Sequence, residues 1–156
     1  MTGSPTDILY IVFHLFTVAY IGGLAVYDIR THKIRNKAVI VFAAVVILFL
    51  PVLYLHAETT LPVFLVNTVF GVLVGGGVPL MMNMLQGVGL GGGDIKLMAV
   101  IGMYAGAFGS CLIMTTAAIV ALLYYAARAI FKKKRTIIPY APCLWFGALL
   151  YSIISL

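Results

Sequence analysis

Long apolar runs without a single ionised side chain decide what this chain can fold into. Residues 8–27, 38–55, 61–85 and 139–156 contain no Asp, Glu, Lys or Arg. An α-helix needs roughly 20 apolar residues to cross a bilayer. All four of these runs are about that long, and a soluble core has no use for so many. The mean hydropathy of +1.15 agrees. So does the charged fraction of 9%, against about 25% in soluble domains. The expected fold class is all-α: a polytopic integral membrane protein with about six transmembrane helices. No polar stretch is long enough to fold separately, so residues 1–156 read as a single transmembrane domain.

The first span is expected over residues 8–27, with Thr6 or Asp7 capping its start. The second covers 38–55 and the third 61–85, separated by a polar loop at 56–60. A glycine-rich loop, 86–93, follows and cannot hold a helix. Residues 94–128 are too long for one ordinary span, and Gly106-Ala107-Phe108-Gly109-Ser110 offers a break. A short fourth helix, 94–105, and a fifth, 111–130, are therefore expected. Pro139 and Pro142 suit the first turn of a sixth helix reaching Leu156. Residues 1–7 lack the basic region of a cleavable signal, so the first run is expected to stay in place.

Charge placement supports about six spans. The net charge is +6, carried by Arg30, Lys33, Arg35 and Lys37, by Lys96, and by Arg128, Lys132, Lys133, Lys134 and Arg135. With about six crossings all of these fall on one side, the cytoplasmic one, as the positive-inside rule requires. Asp7 and Glu58 fall outside. The same placement argues against nucleic acid, which needs a basic face on a folded surface. The run 132–135 is expected to meet anionic lipid. Cys111 and Cys143 form no C-x-x-C pair and read as two small buried thiols. His14, His32 and His56 are spread over both faces, so no metal site is expected. Ser4 and Ser110 have no matched base.

The chain has only four acidic residues. Asp7 and Glu58 belong to exposed loops. Asp28 and Asp94 each sit where a span meets the cytoplasmic interface, one closing the first helix and one opening the fourth. Asp28 could simply pair with Arg30, Lys33 or Arg35, and Asp94 could cap its helix and meet Lys96. Two carboxylates at one depth can also share one proton and act as acid and base on a water molecule. The macrodipole favours an ionised Asp94 at its helix N-terminus and disfavours one at Asp28. Among other residues, Gly71, Gly75, Gly76 and Gly77 thin one side of the third span, which suits close helix packing. Asn67 and Asn83 suit hydrogen bonds between helices, with Asn83 near enough to line the site. Lys96 could snorkel to headgroups or steady Asp94.

At these residues the sequence resembles the type IV prepilin peptidases. Asp28-Ile29-Arg30-Thr31-His32-Lys33-Ile34-Arg35-Asn36 is similar to the family's first motif, an aspartate, a basic stretch and Ile-Pro-Asn. Gly91-Gly92-Gly93-Asp94-Ile95-Lys96-Leu97 resembles its second, Gly-x-Gly-Asp-x-Lys-Leu. Ile138-Pro139-Tyr140-Ala141-Pro142, followed by Gly147, is similar to a third stretch, Ile-Pro-x-x-Pro. The three come in family order over nearly the whole chain.

The resemblance implies an aspartic endopeptidase with Asp28 and Asp94 as catalytic residues and Gly91, Gly93, Lys96, Asn36 and Asn83 in support. It implies no cofactor and no metal. The substrate would be a pilin, pseudopilin or archaellin precursor, cut between a short basic leader and an apolar helix at the cytoplasmic face of the inner membrane. Arg35 replaces a common proline. The loop after Asp28 is short and lacks cysteine, which implies peptidase action without the methyltransferase insert of larger members. Two other classes stay open: a proton-coupled transporter, which calls for midplane carboxylates and an inverted repeat, and a non-catalytic membrane subunit.

Overall fold

The computed structural model describes residues 5–31, 34–86, 91–130 and 140–155. All regular structure among the described residues is helical: α1 (Pro5–Thr31), α2 (Asn36–His56), α3 (Leu61–Val72), a π-helical turn (Leu73–Gly77), α4 (Val78–Gln86), α5 (Gly92–Ile130) and α6 (Ala141–Ser155). Four helical stretches are long and apolar enough to cross a membrane, namely Pro5–Thr31, Asn36–His56, Leu61–Leu85 and Gly92–Ala127, and Ala141–Ser155 is a shorter apolar helix. The basic stretch 131–138, Pro139, His32, Lys33, Ser4 and 87–90 lie outside the described residues.

Local chemistry explains the boundaries. α1 carries Asp7 in its first turn and Arg30 in its last, each complementing the helix dipole. It begins before Asp7, so Asp7 is no cap; instead its Oδ1 pairs with His56 Nε2 at 3.1 Å. Arg35 caps α2 with φ −72°. That is a proline-compatible angle, so the arginine leaves the backbone as a proline would. Glu58, at φ 47°, turns the chain between α2 and α3.

The glycines of α3 and the π-helical turn bring it close to α5. A Cβ at Gly71 would strike Gly102 O, and one at Gly75 would strike Met98 O. One at Gly76 would lie 2.7 Å from the Ala99 methyl. Gly77 has nothing within 4 Å, so it takes no part in this packing. Backbone approach of this kind holds helices together where lipid removes the hydrophobic drive.

α5 has 39 residues, about 58 Å of helix if straight, twice the roughly 30 Å hydrocarbon core. It is broken at Gly106, with φ 69° and ψ −175°, a conformation open to glycine. Asn67 Oδ1 accepts the Ala107 N–H at 3.1 Å, an interhelical bond that restarts the helix. Ser110 Oγ donates to Gly106 O at 2.6 Å. The order of contacts with α6 shows what the break does. Before it, Asp94 faces Tyr140, Tyr151 OH donates to Ala105 O at 3.3 Å, and Tyr104 meets Ser152, so both sequences rise together. After it, Gly109 meets Tyr151 and Ile113 meets Gly147, in opposite order. The order of contacts with α6 changes at the Gly106 kink, within a stretch, Gly92–Ala127, that is one of four long enough to cross a membrane.

The buried core is built from Phe13, Ile21, Phe42, Leu97, Ile101 and Leu144. The outside is equally apolar: Leu48, Met84 and Phe108 are exposed at 74%, 77% and 78%, a surface suited to lipid. Cys143 is buried, but Cys111 is exposed, which corrects the expectation of two buried thiols. An apolar thiol has no need of the core when the bilayer can dissolve it.

Candidate active site

Four chain segments converge at one end of the bundle. The last turn of α1 brings Asp28, which is 4% exposed. The segment leading into α2 brings Ile34 and Asn36. The N-terminus of α5 brings Gly91, Gly93, Asp94 and Lys96. The N-terminus of α6 brings Tyr140 and Ala141. Asp28 and Asp94, 66 positions apart in sequence, lie close enough for the charge of one to act on the other.

Each carboxylate is held differently. Asp28 Oδ2 accepts the backbone N–H of Ala141 at 3.3 Å. Asp94 sits in the first turn of α5, with its own N–H donating to Gly91 O at 3.0 Å. Asp94 Oδ1 is buried and has no hydrogen-bond partner among the described residues. Asp28 is therefore at a helix N-terminus as well, that of α6. The macrodipole argument, which set Asp94 apart from Asp28, no longer separates them.

The glycines before Asp94 have distinct duties. A Cβ at Gly91 would lie 3.0 Å from Asp94 Oδ2, and one at Gly93 would lie 2.8 Å from Ile34 O. A Cβ at Gly92 would meet nothing within 4 Å. The pattern Gly-x-Gly-Asp thus has a steric basis: the outer glycines clear the carboxylate and the neighbouring backbone, and the middle one is free to vary.

Lys96 makes an exposed contact that its sequence position did not suggest. Its Nζ donates to Asn36 Oδ1 at 3.2 Å, tying α5 to the start of α2. Residues two apart on a helix point to different sides, so Lys96 reaches α2 while Asp94 faces Asp28. Asn83 lies half-buried on α4, which continues α3 and the π-helical turn as one helical stretch, Leu61–Leu85. Tyr140 was not singled out for the site by its sequence. Burial, then Cys143, then Asp94 raise its hydroxyl above the usual tyrosine range, so it stays protonated at neutral pH.

No group of three or more His, Cys, Asp or Glu that could hold a metal occurs among the described residues. A cavity of about 170 Å³ opens at the other end of the bundle, beside Tyr10, His56, Asn67 and Gly106. Neither aspartate lines it.

The model of the type IV leader peptidase family matches residues 9–126. That is well over half of the chain and includes both aspartates and all of the Gly91–Leu97 segment. The chain belongs to the type IV leader peptidase family. No curated protein and no solved structure matches it at a significant level. Family membership makes the chain a membrane protease that processes prepilin-like leaders. The match ends before α6, so the turn that meets Asp28 is known here from geometry.

Proposed function

We propose that this peptidase is of the aspartic type, with Asp28 and Asp94 as one catalytic dyad. The observation that carries the reading is their convergence: two carboxylates from opposite ends of two helices, within electrostatic reach in a chain with only four acidic residues. Adjacent carboxylates share one proton because both cannot be ionised together. The ionised member takes a proton from water as the water oxygen attacks the scissile carbonyl. The protonated member hydrogen-bonds the carbonyl oxygen as it gains charge. The tetrahedral intermediate collapses when the leaving amine receives a proton from the dyad. No covalent enzyme intermediate forms.

The substrate is a prepilin-like precursor whose apolar helix lies in the bilayer and whose short basic leader meets the dyad at the cytoplasmic face of the inner membrane. In the sequence, a topology of about six spans assigns every basic residue to that face, as the positive-inside rule favours. Placement of both carboxylates at one end favours a peptidase over a transporter with midplane sites. Co-expression with prepilins of Tad, type IV and archaeal kinds tests this. Wild type is expected to give the shortened product on a gel, and Asp28→Asn and Asp94→Asn are expected to give none while inserting normally. Cleavage by either variant at the wild-type rate would remove the dyad.

A further inference from the structure

A helix begins with amides that have no helical acceptor, and the first turn of α6 assigns its own with little to spare. The Cys143 and Leu144 N–H groups donate to Tyr140 O at 3.0 and 3.2 Å. Pro142 has no N–H. The amide left over is that of Ala141, and it donates to Asp28 Oδ2 across 113 residues of sequence. Ala141 is fully buried and Asp28 nearly so, which shields this bond from water. The adjoining residue, Tyr140, is acted on by Asp94. The start of α6 therefore stands beside both aspartates.

α1 by itself holds Asp28 loosely. Its side chain leaves the last turn of the helix and can rotate about two bonds. A dyad needs its carboxylates set to within a fraction of an ångström. From these contacts we propose that the Ala141 amide positions Asp28 for catalysis, pinning Oδ2 so that the other oxygen, Oδ1, is presented to the reacting water. This makes Ala141 a positioning residue through its backbone. Pro142 contributes by withholding a competing donor. The inference rests on the peptidase reading above.

Deleting that one N–H tests it. Ala141→Pro does so at the first helical position, where proline is tolerated. Replacing Ala141 with its α-hydroxy analogue, which turns the amide into an ester, does so without added bulk and decides the matter if the proline variant fails to accumulate. Both are assayed in membrane vesicles as the full chain. The expected result is a fall in kcat of about tenfold or more, with KM within about twofold, since misplacement of a reacting group slows chemistry more than binding. Ala141→Gly keeps the amide and is expected to recover most of that loss. An unchanged kcat in the ester variant, or a loss carried by KM alone, overturns the proposal. A wild-type chain that cuts no precursor overturns the peptidase reading instead, and the wild-type lane reports that separately.

Discussion

The two ends of the bundle are built on opposite principles. At the end away from the aspartates, polar groups are paired with one another. His14 is 1% exposed, and its ring nitrogens lie 3.1 Å from Tyr10 O and 2.9 Å from Ser155 Oγ. Tyr10 stacks on His56 with ring centroids 4.2 Å apart, and Tyr104 meets Ser152 at 3.3 Å. At the aspartate end, a buried carboxylate oxygen has no partner among the described residues. Two carboxyl groups lie within electrostatic reach of each other, and glycines stand where side chains would fill the space. At the other end His56 Nε2 also lacks a hydrogen bond, but it lies 3.1 Å from Asp7 Oδ1, and a network of paired polar groups rigidifies a membrane bundle. An ionisable group without a partner at membrane depth is costly and marks a candidate for chemistry. On the proposed dyad reading, the difference separates the part that holds the fold from the part that acts.

Substitutions can break this contrast, and the largest effect belongs to the dyad. Asp28→Asn and Asp94→Asn should each lower cleavage by about a thousandfold or more, because they remove an acid or base from the transition state, while thermal unfolding of the purified protein stays close to wild type. Gly93→Ala comes next. Its methyl would press on Ile34 O, and cleavage should fall by about 10- to 100-fold; Gly92→Ala, whose methyl meets nothing, should fall by less than about threefold. Rates for both in one vesicle preparation check the pair.

At the opposite end the signs exchange. His14→Ala should cost about 2–3 kcal/mol through two lost hydrogen bonds and a cavity, seen as a lower melting temperature, with kcat unaltered. A large loss of kcat at full stability would mean that the quiet end also acts. The smallest effect is expected at the exposed Lys96–Asn36 bond. A double-mutant cycle with Lys96→Met and Asn36→Ala should give a coupling of about 0.5–1 kcal/mol, because solvent or headgroups can replace it.

Much of this was legible before any coordinates. Uncharged runs mark the helices because the bilayer rejects ions, and scarcity of acid singles out Asp28 and Asp94. The stretch Gly106-Ala107-Phe108-Gly109-Ser110 marks a break because the apolar run around it is too long for one span, and the kink falls on its first glycine. The contacts that complete the site were not legible. Nothing in a linear pattern says that the Ala141 amide meets Asp28, or that Lys96 reaches Asn36 rather than Asp94; both depend on how helices distant in sequence pack. The nearest signal was Pro142, which deletes one amide from the first turn of α6 and leaves its neighbour to seek an acceptor elsewhere. The π-helical turn at Leu73–Gly77 was also hidden, since glycines that allow close packing also allow an ordinary helix.

The central claim is that Asp28 and Asp94 act as one unit, and a kinetic cycle on the two residues tests it most directly. Cleavage of a prepilin would be measured for wild type, Asp28→Asn, Asp94→Asn and the double variant at equal amounts of inserted protein. Residues that work as a unit are strongly non-additive, so the double variant should be no slower than the slower single variant. Independent, multiplicative losses would contradict a shared dyad and leave two separate aspartates with separate roles.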